Sequence, residues 1–65
     1  MLIDLIGWPV YEVANAAAKL QKNVKIVKSI DAGKVQRYKF DKDELKNCIV
    51  LEIEDGKVSN LWLEQ

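Results

Sequence analysis

The chain has 65 residues, which is one small domain over residues 1–65, and its ten basic side chains balance ten acidic ones. It contains no histidine and a single cysteine, Cys48, so it lacks the side chains for a zinc site, a disulfide or the usual acid–base catalysis. The balanced charge, with no basic block, argues against nucleic acid and an anionic membrane surface as partners. We therefore expect a non-enzymatic domain without metal or cofactor, in which Cys48 is a small buried apolar residue.

The N-terminal stretch MLIDLIGW is apolar but short, and Asp4 interrupts it. A signal peptide has a cationic leader and a longer apolar core, and a membrane helix needs about 20 apolar residues. Neither pattern is present. We expect a cytoplasmic protein, with a mature exported form as the alternative.

Residues 9–23, PVYEVANAAAKLQKN, have the pattern of a helix. Pro9 suits the first helical position, where its missing N–H has no cost, and Asn23 suits a left-handed cap at the end. Apolar side chains recur at helical spacing and predict one buried stripe. This stripe consists of Val10, Val13, Ala14, Ala17 and either Leu20 or Gln21.

Two apolar runs after the helix predict strands with one buried face each. In residues 24–30, VKIVKSI, the predicted buried positions are Val24, Ile26 and Ile30. In residues 48–54, CIVLEIE, they are Ile49, Leu51 and Ile53. These elements indicate an α+β fold, with a single helix packed on a small mixed or antiparallel sheet.

The end of the chain predicts a hairpin. Asp55 and Gly56 supply the positive φ angles of a type I′ turn, whereas Gly33 is expected in a looser connection. In the returning strand, VSNLWLE, the apolar positions change parity, which predicts a bulge at Ser59 and Asn60.

Residues 32–45, AGKVQRYKFDKDEL, permit two interpretations. Tyr38 and Phe40 alternate with Arg37 and Lys39, and aromatic and arginine side chains often anchor protein interfaces. An exposed contact loop is therefore one interpretation. The other makes Tyr38 and Phe40 core residues of a further strand, paired with the first predicted strand.

The order of these segments resembles the potato inhibitor I superfamily, which includes short bacterial inhibitors of peptidases. LIGWPVYEV resembles the opening motif of that family, leucine-x-glycine followed after four residues by glutamate-alanine, and the later segments follow in the family's order. Gly33, Phe40, Asp43 and Leu45 correspond to positions in the family's loop segment. Glu44 stands where the family has an arginine that braces the loop.

This resemblance implies a serine peptidase inhibitor that presents an extended, unpaired loop, residues 32–42, as a substrate would. By position Tyr38 fills the specificity pocket and Tyr38–Lys39 is the bond presented, which suits a chymotrypsin- or subtilisin-like peptidase. Arg37 as the pocket residue suits a trypsin-like one. The implied contact residues are Arg37, Tyr38, Lys39 and Phe40, and a rigid loop gives affinity because little ordering is needed on binding.

Two other functions remain open. The first is a protein-interaction or self-assembly module that uses an exposed sheet edge, including a homodimer, because a core this small gains from association. The second follows from a looser resemblance of IDLIGW to the turn that opens the peptidoglycan-binding repeats of penicillin-binding proteins and cell-wall kinases. An unpaired loop at residues 32–42 favours inhibition, and a paired strand there favours the interaction module.

Overall fold

The computed structural model describes residues 2–65 as one helix packed on a four-stranded mixed sheet. The elements are a 3-10 turn at Leu2–Leu5, α1 at Val10–Lys19, β1 at Asn23–Asp31, β2 at Lys34–Arg37, a one-turn helix α2 at Lys42–Leu45, β3 at Cys48–Glu54 and β4 at Lys57–Leu63. The strand order is β2-β1-β3-β4, with β1 parallel to β3 and both outer pairs antiparallel. The predicted α+β class is confirmed.

Helix α1 is shorter than the sequence pattern predicts. Pro9 lies just before the first helical residue. Gln21, with a φ of 57°, takes the left-handed position expected of Asn23. The Lys22 N–H donates to the Ala17 carbonyl and the Gln21 N–H to that of Ala18, the paired bonds of a Schellman cap. This cap ends the helix early and leaves Asn23 to begin β1.

The main core lies between α1 and one face of the sheet, here called the helix face. Its buried residues are Val13, Ala17, Ile49, Leu51, Val58 and Leu61. The inward orientation predicted for Ile49 and Leu51 is confirmed, and Ile53 packs against the same cluster. Of the predicted helical stripe, Val10 is half-buried, whereas Ala14 and Leu20 are exposed. The helix therefore buries a narrower stripe than the sequence pattern predicts.

A bulge at Val27 changes the faces of β1. The β1–β3 pairing passes from Ile26 opposite Leu51 to Lys28 opposite Glu52, so one extra residue is inserted in β1. The alternation of side chains reverses beyond this point. The prediction that Ile30 shares the buried face of Ile26 is therefore wrong, because Ile30 lies beside Glu54 on the other face.

The predicted bulge in β4 is confirmed. Val58 lies opposite Ile53 and Asn60 lies opposite Glu52, which leaves Ser59 as the extra residue. The Ser59 hydroxyl donates a hydrogen bond of 3.1 Å to the Glu52 carbonyl across the bulge. This insertion keeps Val58 and Leu61 on the helix face despite their odd spacing.

Two tight hairpin turns lie side by side at one end of the sheet. Asp55 and Gly56 have φ angles of 51° and 80°, as predicted for a type I′ turn. Ala32 and Gly33 have nearly the same values, 50° and 78°, so the expectation of a looser connection at Gly33 is wrong. The Asp55 N–H donates to the Ile30 carbonyl at 2.8 Å, and the Asp55 carboxylate accepts from the Ala32 N–H at 3.3 Å.

The connection from β2 to β3, residues 38–47, is here called the crossover, and it lies on the sheet face opposite α1. Val50 alternates with Ile49 and Leu51, so its side chain points away from α1, yet it is fully buried. The prediction of one buried face for β3 is therefore wrong in the first half of the strand, where both faces are covered. Lys25 lies beside Val50, and its ammonium lies 5.4 Å from the centroid of the Phe40 ring. The crossover therefore packs over this face of the sheet and encloses a second, smaller core.

Cys48 occupies this second core as a small buried side chain, 3% exposed. Its Sγ–H lies within hydrogen-bonding distance of the Glu44 and Lys46 carbonyl oxygens, at 3.4 and 3.5 Å. Both acceptors belong to the crossover. The contacts attach the crossover to the start of β3, which is a packing role, as predicted for this residue.

Candidate interaction surface

The four residues predicted to form a contact surface lie where β2 passes into the crossover. Arg37 ends β2, and Tyr38, Lys39 and Phe40 follow outside any strand. The first three are exposed, and Phe40 is half-buried. The expectation of an unpaired loop over residues 32–42 is wrong for its first half. The turn at Ala32 and Gly33 folds the chain back, so that the next four residues pair with β1.

The two rings of this surface have different surroundings. The Tyr38 hydroxyl donates a 2.8 Å hydrogen bond to the Gln36 side-chain oxygen, and its side chain is 45% exposed. Phe40 instead faces the Lys25 ammonium. The alternative of a further strand paired with the first one is confirmed for Lys34–Arg37. Its placement of both rings in the core of that strand is wrong, because neither ring lies in a strand and Tyr38 is exposed.

The backbone of residues 38–41 is held at both ends. The Tyr38 N–H donates to the Val27 carbonyl at 3.0 Å. At the other end, the Asp41 N–H donates to the Glu44 carboxylate at 3.1 Å, which caps α2. Glu44 therefore has a local capping role. Tyr38 and Lys39 project from a restrained segment.

Strand β2 forms one edge of the sheet, and each of its residues is exposed. In a two-residue hairpin, Asp31 and Lys34 next to the turn form a hydrogen-bonded pair, and bonded pairs then alternate along the ladder. The bond from the Tyr38 N–H to β1 continues this alternation. The N–H and C=O groups of Val35 and Arg37 therefore point outward, away from β1.

The opposite edge of the sheet is covered at its start. The Gly7 N–H donates to the Val58 carbonyl at 2.8 Å, and the Val58 N–H donates to the Trp8 carbonyl at 2.9 Å. The Val10 N–H bonds in the same way to the Gly56 carbonyl. Among the described residues, no segment pairs with the outer side of β2, which is the more open of the two edges.

The β2 edge carries positive charge in a chain whose formal net charge is zero. Lys34, Arg37 and Lys39 lie within six residues that contain no acid. In the part of the chain that the structure describes, these three side chains make no hydrogen bond or ion pair. Val35 and Tyr38, 51% and 45% exposed, lie among them. The surface thus combines free backbone groups, cations and exposed apolar area.

Other kinds of site receive no support from the described residues. No group of three or more histidine, cysteine, aspartate or glutamate side chains lies close enough to hold a metal ion within residues 2–65. Over the same range, no helix has the length and apolar character needed to cross a membrane.

No family model, curated protein or solved structure matches this chain.

Proposed function

We propose that this domain is a non-enzymatic protein-binding module that receives an extended segment of a partner on the open edge of β2. The outward N–H and C=O groups of Val35 and Arg37 carry this proposal, because an added strand bonds to such groups. Val35 and Tyr38 supply exposed apolar area beside them. The turn at Ala32 and Gly33 and the restrained Tyr38 fix both ends of the edge, so little ordering is needed on binding.

The charge of the edge favours a different protein over a second copy as the partner. A homodimer through β2 places the strand that carries Lys34, Arg37 and Lys39 beside its own copy, about 4.8 Å away, without an intervening acid. Lysines on edge strands are a known means of preventing such self-pairing. We therefore place the partner outside this chain.

A proline substitution tests the proposed edge. Val35→Pro removes an outward N–H and leaves the ladder to β1 intact, so its free energy of unfolding should change by no more than about 1 kcal/mol. Gln36→Pro removes an inward N–H and should cost at least about 2 kcal/mol. Extended peptides selected from a displayed library for binding to the native domain should lose affinity for the Val35→Pro variant by at least about tenfold, which titration calorimetry measures.

The matched control is Val35→Thr, which keeps the backbone N–H and the β-branched shape. This variant should retain most of the affinity for the same peptides. Unchanged peptide affinity in a folded Val35→Pro variant contradicts the proposal.

A second candidate function, inhibition of a serine peptidase, is favoured by the restrained backbone around Tyr38 and Lys39. The segment is exposed and lies outside any strand, and its ends are fixed by the bonds to Val27 and from Asp41 to Glu44. In this proposal Tyr38 enters the specificity pocket of a chymotrypsin- or subtilisin-like enzyme. Arg37 takes that place for a trypsin-like one.

Tyr38→Ala distinguishes this candidate from a structural role of the ring. Because Tyr38 is half-exposed, its loss should change the free energy of unfolding by about 1 kcal/mol or less. Inhibition of chymotrypsin or subtilisin by the native domain should disappear in the variant, since the pocket residue supplies much of the interface energy. Tyr38→Phe should retain it. Failure of the native domain to inhibit chymotrypsin, subtilisin and trypsin eliminates this candidate.

A further inference from the structure

We infer that the ligand of the β2 edge is an acidic extended segment in which acidic and apolar side chains occupy set positions. This inference rests on the proposed function and adds the chemistry of the partner. It follows from two observations, the local charge of the edge and the alternation of its side chains.

The charge around β2 is positive over both strands of its hairpin. Lys34, Arg37 and Lys39 belong to the edge, and Lys28 of β1 lies directly opposite Arg37. Within residues 28–39 the sole acid is Asp31, opposite Lys34. An incoming strand that carries carboxylates therefore meets an excess of cations. Opposite charges across neighbouring strands stabilise their pairing, and like charges oppose it.

The β3 carboxylates on the same sheet face lie farther from the edge. Glu52 lies beyond Lys28 in the row that begins at Arg37, and Glu54 lies beyond Ile30 in the row that begins at Val35. Each is two strands from β2, or about 10 Å. Because Glu52 and Glu54 lie next to β1 and not next to β2, the outer side of Arg37 remains open to a carboxylate from a partner.

The alternation of β2 side chains assigns a position to each ligand residue. The side chains of Val35 and Arg37 point to the sheet face that the crossover covers. Those of Lys34, Gln36 and Tyr38 point to the helix face. A segment that pairs antiparallel with β2 begins at Tyr38 and ends at Lys34. Favourable contacts then require an apolar residue first and an acid second, opposite Tyr38 and Arg37. A polar, an apolar and an acidic residue follow, opposite Gln36, Val35 and Lys34. The sequence leucine-glutamate-threonine-valine-glutamate meets this pattern.

The experiment uses this pentapeptide, acetylated and amidated, with the ¹⁵N-labelled domain. We expect it to shift the amide signals of Val35 and Arg37 more than others in the NMR spectrum. Replacing both glutamates by glutamine should weaken binding by roughly tenfold, and replacing both by lysine should weaken it further. Raising the salt concentration from about 0.05 to 0.5 M should weaken binding of the glutamate peptide alone, because salt screens exposed charges.

A charge-reversed variant provides the matched control. Arg37→Glu leaves the fold intact because Arg37 is exposed, and the unchanged part of the NMR spectrum verifies this. The variant should lose affinity for the glutamate peptide by roughly tenfold and gain affinity for the lysine peptide. Lys19→Glu, an equal change of charge at the exposed C-terminal end of α1, should alter neither affinity by more than about twofold.

The outcomes separate this inference from the proposed function. Equal binding of the glutamate, glutamine and lysine peptides at Val35 and Arg37 overturns the acidic ligand and leaves the edge function standing. Peptide-induced shifts confined to residues away from β2 overturn the acidic ligand of this edge. If these peptides and the library-selected ones all leave Val35 and Arg37 unperturbed, the edge function fails as well.

Discussion

Leu51→Ala is expected to leave the domain largely unfolded at 25 °C. Leu51 lies in the interior strand β3, is 0% exposed and belongs to the core cluster beneath α1. Truncating a buried leucine costs about 2–5 kcal/mol because transfer energy is lost and a cavity remains. A domain of this size has about 5 kcal/mol or less of stability. Urea unfolding followed by circular dichroism measures the loss.

Leu63→Ala is the matched control for that experiment. It deletes the same atoms on the same face of the sheet, but Leu63 ends the edge strand β4 and is 37% exposed. Its loss should be about 1 kcal/mol, because part of the side chain already contacts water. Equal losses at both positions contradict the argument that the deeper burial of Leu51 makes its truncation more costly.

Gly33→Val and Gly56→Val should destabilise the domain by similar amounts, about 1–3 kcal/mol each. Both glycines have φ near 80°, a region that β-branched residues rarely adopt. A Cβ atom added at either position meets nothing within 4 Å, so backbone strain supplies the whole effect. Thermal melts of the two variants measure it. Gly33→Asn should lose much less, because asparagine tolerates left-handed backbone.

A much smaller loss at Gly33 than at Gly56 contradicts this prediction. That ranking follows from the sequence alone, in which Asp55 and Gly56 form a familiar turn pair and Ala32 and Gly33 do not. The φ angles of the two turns are nearly equal, so the two substitutions should cause similar strain.

Features with a local cause were predictable from the sequence. Asp55 and Gly56 specify their turn directly, and the change of apolar parity at Ser59 specifies the bulge. The two-residue spacing of Ile49 and Leu51 correctly predicts that both face α1, whereas the burial of Val50 on the other face depends on the crossover. For each correct prediction the information lies within a few adjacent residues.

Features that depend on distant partners were not predictable in this way. Strand β2 is exposed on both faces, so its sequence permits both a loop and a further strand, and only its pairing with β1 decides between them. The bulge at Val27 is visible only against the register of β3. The early end of α1 depends on a left-handed Gln21, a residue type that seldom signals a helix cap.

The candidate site was predictable in part. Arg37, Tyr38 and Lys39 are exposed, as a contact surface requires. The difference in exposure between Phe40 and Tyr38 was not predictable. Phe40 lies against the Lys25 ammonium, which is fifteen positions away in the chain and reaches the ring only when the crossover has formed. The open edge itself follows from the strand order, which sequence spacing alone does not determine.

The bonds between the two hairpin turns have a consequence for the order of folding events. Each hairpin, β1–β2 and β3–β4, closes through a two-residue turn and can form within microseconds without the other. The parallel β1–β3 pair joins them and requires closure of the intervening chain, which is slower. The contacts from Asp55 to Ile30 and Ala32 exist only after this docking step. Because they form after the strands have docked, we expect them to slow unfolding more than they accelerate folding.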